Sequence, residues 1–568
     1  MLTDRLKGCR LYAIAGLAVV AGFAFGAAAS AQPLTPAPGA AHERVLITPG
    51  KMAYLPNENL TFTLDAEPKG PVGTTPTYHW YIYLQQMETG ERRYYPNFSA
   101  GQETDILGNA ASVPAFEVPT LSGFPMLGPG GWNGSEVAGG FASISSGAPG
   151  MYALVVELRD PGTGAVRFQT RSQFAVVSSV NTIQGNITTD TTLDNDRVHL
   201  LRGAVFVQNA ATLTIERGTV ILGETATNGT LIVATGAKIM AVGTPGQPII
   251  FTSDQEVGDR ARADWGGLII NGLATINLPG GIGVGEGETG QYGGNDDDDS
   301  SGRLSYVRVE FAGTEFSADN ELNGIAFQGV GRGTQVDHIQ VHYNQDDGIE
   351  MFGGTVDWKY AVITGARDDS IDWTDGWRGR AQFAVVQQNG EEADQGIEAD
   401  NHGETNSLLP RSNPTLYNLT LIGDPDSLEG PESDDGILVR AGTAGTFRNF
   451  IVMGFKERGL AIDQDSTIAE ANIGTLNFDN GIVFNNAPNI APEIAPFATT
   501  IRDVDPMIVD PYTLWAPDFR PAWGSPALDG SNVRTPPDDG FFDSSVTFIG
   551  GVDPSDDFTK GWTAAYQD

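Results

Sequence analysis

Asp346-Asp347-Gly348-Ile349-Glu350, Asp368-Asp369-Ser370-Ile371-Asp372 and Asp394-Gln395-Gly396-Ile397-Glu398 are three copies of one short phrase. Its kernel is a small residue followed by Ile or Leu. Between residues 324 and 482 the kernel recurs at Gly324-Ile325, Gly348-Ile349, Ser370-Ile371, Gly396-Ile397, Gly436-Ile437, Gly459-Leu460 and Gly481-Ile482. Successive kernels stand 24, 22, 26, 40, 23 and 22 residues apart. A period in the low twenties is too short for a helical hairpin and matches one coil of a parallel β-solenoid. In the last six copies an acidic residue precedes the small residue by two: Asp346, Asp368, Asp394, Asp434, Glu457 and Asp479. In the three middle copies Glu350, Asp372 and Glu398 follow the Ile. Stacked coils bring equivalent positions to about 4.8 Å, so the repeat predicts a ladder of carboxylates along one edge.

The surrounding sequence agrees. From about residue 185, apolar runs of three to five residues recur between Gly-containing turns, as at Val205-Phe206-Val207, Leu231-Ile232-Val233 and Leu268-Ile269-Ile270. Long helical periodicity is absent. The expected fold is all-β: a right-handed parallel β-helix over 185–489, with the Ile or Leu of each kernel pointing inward. Insertions should leave it near 276–302 and 402–432, the latter explaining the gap of 40. The Pro- and Asp-rich stretch 490–568 is expected to cap the open end of the coil stack. Before the solenoid, 44–178 alternates in short strands broken by turns such as Asp160-Pro161-Gly162-Thr163-Gly164, the pattern of an immunoglobulin-like β-sandwich with Trp80 as a core anchor.

The N-terminus reads as an export signal over 1–31. Lys7 and Arg10 precede an apolar run, and Ala29-Ser30-Ala31 is an A-x-A cleavage site. The mature chain should begin at Gln32, with 32–43 a linker, no cysteine, and no later segment long enough to span a bilayer. The expected location is periplasmic, cell-surface or extracellular. A formal net charge of -38 argues against nucleic-acid or anionic-membrane partners and favours divalent cations.

Val220-Ile221-Leu222-Gly223, Asp264-Trp265-Gly266-Gly267-Leu268-Ile269, Val309-Glu310-Phe311-Ala312-Gly313, Asp346-Asp347-Gly348 and Asp557-Phe558-Thr559-Lys560-Gly561-Trp562 together resemble a bacterial family of exported β-helix proteins. Its members are often loosely named lipoproteins. The likeness covers about 185–565, although this sequence has no lipobox cysteine at the cleavage point. A looser resemblance, of fold alone, is to the pectate-lyase type of β-helix.

Like charges at ladder spacing repel, and a counter-charge is needed to keep them ionised. Calcium accepts six to eight oxygens in irregular cages. The candidate ligands are Asp346, Asp347, Glu350, Asp368, Asp369, Asp372, Asp394 and Glu398. The competing reading is turn chemistry, because Asp-Asp-Gly also caps backbone N–H groups at corners. Trp373 and Trp377 are candidate sugar platforms. Arg378 and Arg380 are candidate ligand-binding residues, and would supply the base if the chain were a lyase. Other motifs fail. Asp297, Asp299, Ser301 and Gly302 match the start of an EF-hand, but Arg308 stands where its closing Glu should be. Gly285–Gly290 spells G-x-G-x-x-G without a following helix. His338 and His342 are too far apart on a strand for one zinc. The leading expectation is a non-enzymatic exported protein that binds calcium, and polysaccharide or other cell-surface components, along an acidic face. The alternatives are a calcium-dependent polysaccharide lyase or glycoside hydrolase, and a structural or adhesive rod.

Overall fold

A computed structural model describes residues 44–55, 62–67, 77–94, 99–100, 113–114, 131–133, 149–159, 162–317, 320–389, 393–425 and 433–564. The expected signal segment and linker lie outside these. Among the described residues, two long parallel sheets, of 17 and nine strands, wind together as a right-handed parallel β-helix. The nine-stranded sheet runs from Ala204–Val207 through Ile325–Gln328, Ile349–Phe352, Ile371–Thr374 and Ile397–Ala399 to Leu460–Ile462. Leu268, Ile325, Ile349, Ile371, Ile397, Ile437 and Leu460 stand in register, one per coil. All are buried in one continuous core, as the alternation of a strand requires once one face is committed.

The kernel glycine has a steric cause. A Cβ on Gly348 would lie 2.5 Å from the Ser370 carbonyl oxygen, and one on Gly396 would lie 2.6 Å from that of Gly436. The seventh kernel departs from the series. Ile482 pairs with Ile451 in the other sheet and packs with Val385 and Ile422 on its outer side. The inward ladder instead ends at a bridge from Leu460 to Ile490.

In the larger sheet the strands Gly302–Glu310, Gln335–His342, Asp357–Thr364, Arg380–Gln387 and Thr415–Ile422 each turn a corner. Their inward residues fall at 304, 307 and 309, and likewise at 336, 339, 341 and 358, 361, 363. The first interval is three because one residue per coil adopts positive φ: Tyr306 (52°), His338 (49°), Tyr360 (57°), Phe383 (63°) and Asn418 (58°). Outside the corner the rings stack, Tyr306 on His338 at 4.2 Å, His338 on Tyr360 at 4.4 Å and Tyr360 on Phe383 at 5.0 Å.

Residues 490–501 close the end of the coil stack, with Ala491, Ile494 and Ala498 in the core. The rest of the expected cap does something else. It runs back along the positive-φ corner as a strap. Asn480 donates to the carbonyl of Asn532, Asn449 to Arg534, Asn418 to Phe548 and Gly550, and Gln340 to Ala564. Asn suits these corners because it tolerates positive φ and brings an amide donor.

Before the helix, strands Ala53–Tyr54, Thr77–Gln86, Gly150–Arg159 and Val166–Val176 belong to a seven-stranded sheet, and Arg44–Pro49, Phe62–Glu67 and Gly131–Asn133 to a three-stranded one. Met52, Met151 and Val177 pack against Val198, Val220 and Ile250 of the solenoid. The Trp80 side chain and most of the connections that would define an immunoglobulin-like topology lie outside the described residues. Among the described residues, no helix is long and apolar enough to cross a membrane.

Candidate functional site

The outward side of the nine-stranded sheet changes character along the stack. At its start Ile232, Ile269 and Ala326 are covered by Ile276 and Tyr292 of an excursion that leaves the coil after Asn271, and by Leu322 of the loop between strands Gly302–Glu310 and Ile325–Gln328. The next rungs are Glu350, Asp372 and Glu398, directly in register. Beyond them the face turns apolar again with Leu438 and Ala461.

The two residues before the kernel have separate roles, because the strand begins only at the Ile. The residue next to the kernel caps the following coil. The side chain of Asp347 accepts from the Asp369 backbone N–H (3.0 Å), Asp369 from Gln395 (2.7 Å), Gln395 from Asp435 (3.0 Å) and Asp435 from Arg458 (2.9 Å). Turn chemistry therefore describes Asp347 and Asp369 well, but not Asp346, Asp368 and Asp394, which stand one residue earlier.

Carboxylate oxygens converge within 4.8 Å of one another in three overlapping sets: Asp346, Asp347 and Asp368; Asp347, Glu350 and Asp372; Asp368, Asp369 and Asp394. Burial, followed by repulsion from Asp368, pushes Asp346 up to about 8. Burial and then Asp400 push Asp372 up to about 7, and burial with Asp368 and Asp434 pushes Asp394 up to about 8. Asp347, Glu350 and Asp369 are held well above the usual carboxylate range by burial and their acidic neighbours. Among the described residues none of Asp346, Asp347 and Glu350 has an ion-pair partner. Glu398 differs. Arg440 pairs with it and with Asp400, the latter at 2.9 Å.

The chemistry of these donors fits a hard divalent cation, since all are oxygens on a short stretch of surface. Two buried amides strengthen the fit. Asn323 donates to Glu350 Oε2 at 2.6 Å, and Asn344 donates to the Asp347 carbonyl at 2.8 Å. Among the described residues the Oδ1 of each is buried with no hydrogen-bond partner, and a buried oxygen of this kind calls for a water or an ion.

Other expected residues lie elsewhere. Trp373 and Trp377 are both fully buried in the core. Their rings meet at 5.4 Å, and Trp377 Nε1 donates to the Val356 carbonyl. Neither can stack a sugar, because Trp373 follows outward Asp372 and so points inward. Arg378 pairs with Asp297 at 3.2 Å, and Arg380 with Asp357 at 2.5 Å and Asp539 at 2.8 Å. Both are spent on holding the chain together away from the ladder. Asp297 also accepts the Thr275 N–H, and Asp299 that of Leu273, so this acidic run fastens the excursion to the coils.

Several contributors escaped the sequence reading. Asp400 and Arg440 stand four residues after their kernel glycines, on the face shared with Glu398, and alternation alone would have found them. Glu286 and Glu321 had no such signal. Glu286 reaches the face on the excursion and Glu321 on a separate hairpin of strands Glu315–Ser317 and Asn320–Glu321, and burial followed by repulsion from Glu321 holds Glu286 up to about 7.

Fold and site together define a parallel β-helix with a carboxylate-lined outer face. The chain belongs to the pectate-lyase-like beta helix domain family, whose model matches residues 185–500. A solved Yersinia enterocolitica family 28 exopolygalacturonase is similar at 10% identity over 78% of this chain and 86% of that one. Its TM-score of 0.16 transfers no residue or role. No curated protein matches the sequence.

Proposed function

We propose that the chain is an exported β-helix protein that binds calcium on its acidic face and, through the cation, carboxylated polysaccharide. The observation that carries this reading is the convergence of Asp346, Asp347, Glu350, Asp368, Asp369, Asp372 and Asp394 in three sets within 4.8 Å. A cation relieves a repulsion that otherwise keeps these groups protonated. A polysaccharide carboxylate would complete its oxygen shell. Glu398 belongs to the same ladder but pairs with Arg440, although burial and Asp372 still hold its carboxyl well above the usual range, and it stands outside the three converging sets. The reading remains non-enzymatic because Arg378 and Arg380, the bases a lyase would have drawn on, are tied to Asp297, Asp357 and Asp539.

One observation favours glycoside hydrolysis as a second reading. Asp372, held up to about 7, stands in register with Glu350. Glu350 is held higher still by burial and by Asp372, and a carboxyl that keeps its proton beside one that ionises more readily is the pair that hydrolysis uses.

Metal content of protein purified without chelator, followed by binding to polygalacturonate with calcium or EDTA, tests both. Bound calcium and calcium-dependent retention without product are expected. New reducing ends would favour hydrolysis, and unsaturated products would restore the lyase. Absence of both metal and retention refutes the proposal.

A further inference from the structure

A cavity of about 430 Å³ lies on the flank of the solenoid, away from the carboxylate ladder, between the strand Val166–Val176, the coil strands and the strap. Its lining includes Arg171, Arg308, Lys560, Gln387 and Asn389, and contains no Asp or Glu. The chain has 71 acidic residues against 33 basic ones, so a wall of this sign runs against the composition. Glu310 takes up the charge of Arg308 at 2.6 Å. Among the described residues, Lys560 has Asp557, at 3.8 Å, and the Pro517 carbonyl.

Arg171 is the telling residue. Its guanidinium donates to the Gly561 carbonyl and, among the described residues, has no carboxylate partner. It is half-buried, and that partial burial pulls its pKa below the usual arginine range. The strap is shaped around it, since a Cβ on Gly561 would collide with Arg171 Nη2. Tyr343 and Trp515 give the cavity aromatic walls.

We infer that this cavity binds a small anionic, hydroxyl-rich molecule of sugar-acid size, with Arg171 receiving its carboxylate. The planar guanidinium fork matches a carboxylate. The amides suit hydroxyls, and an aromatic wall suits the apolar face of a sugar ring. Size excludes a bare oxyanion as the intended occupant. The volume falls within the range of small-molecule sites, about 300–1,000 Å³, and far exceeds that of a single water, about 30 Å³.

The inference is independent of the cation site and is tested without it. Calorimetric titrations in EDTA would use galacturonate, galactose and inorganic phosphate as probes. Galacturonate should bind, galactose more weakly, and phosphate not measurably. Arg171→Ala should weaken galacturonate about tenfold or more, the loss of a charged hydrogen-bonded contact. Glu350→Gln should leave it unchanged. If Arg171→Ala fails to fold, by its melting curve, Lys560→Ala at the exposed rim serves instead and should weaken binding severalfold. No binding by galacturonate, equal binding by phosphate, insensitivity to the cavity substitution, or loss in Glu350→Gln would each overturn the assignment.

Discussion

Glu350 and Glu398 occupy equivalent rungs two coils apart, yet their charges are settled differently. Glu350 has the Asn323 amide and acidic neighbours, whereas Glu398 has Arg440. Glu350→Gln should therefore remove repulsion, raise the melting temperature of chelated protein, and shrink the gain from calcium. Glu398→Gln should lower the stability of the chelated protein slightly, by about 1 kcal/mol given the exposure of Arg440, and keep most of the calcium gain. Equal calcium gains in both variants would show that the two rungs are not distinct. The raised carboxyls also set a pH dependence. Asp346 and Asp394 are held up to about 8 and Asp372 to about 7. Across neutral pH the folded chain keeps protons that the unfolded chain has released, so stability falls as pH rises. Below about 6.5 His342 acts oppositely, because burial pulls it down to about 3. The clean window is pH 6.5 to 8. There the melting temperature should fall in EDTA and hold steady in calcium. A flat curve in EDTA would mean that these carboxyls are ionised in the folded apo chain.

At the scale of the coil, Asp347 and Asp369 do two things at once, and substitution can separate them. Asp369→Asn keeps an oxygen to accept the Gln395 N–H and removes the charge, while Asp369→Ala removes both. Asparagine should preserve apo stability and blunt the calcium response. Alanine should also lose about 0.5–2 kcal/mol, the usual worth of a cap. Equal melting temperatures for the two apo variants would remove the capping role. What the sequence disclosed follows the same division. Kernel spacing revealed the coil, and alternation revealed the inward Ile and the outward Glu350, Asp372 and Glu398. Applied one residue further, alternation already placed Trp373 inside. The larger sheet was harder, because a positive-φ residue at 306, 338 and 360 breaks the period of two and moves the next inward residue by one. Ile482 carries the kernel but lies in the other sheet, a difference of position within the coil that local sequence does not encode. Glu286 and Glu321 could not be placed from sequence at all, since a long excursion carries the first to the face and a separate hairpin the second. The strap is a similar case. Its attachment depends on carbonyls meeting Asn418, Asn449 and Asn480 from more than fifty residues away in sequence.

At the scale of the whole chain, the formal charge of -38 permits two explanations of any stabilisation by calcium. The cation could screen the chain's general self-repulsion, as any salt would, or it could occupy the ladder. Concentration separates them. A site that binds only the folded chain stabilises it by about 2.7 kcal/mol when calcium is a hundredfold above its dissociation constant. Millimolar calcium hardly alters the Debye length in about 0.15 M salt, where exposed charges are already screened beyond about 8 Å. Calcium should therefore raise the melting temperature in 0.15 M NaCl, with saturation, and magnesium should do so less, because it demands octahedral geometry and keeps its waters. The combined variant Asp346→Asn, Glu350→Gln, Asp372→Asn should lose the saturable gain while changing the formal charge by only three units. If that variant still responds to calcium like the parent, or if sodium at equal ionic strength reproduces the gain, screening is the whole effect and the ladder holds no ion.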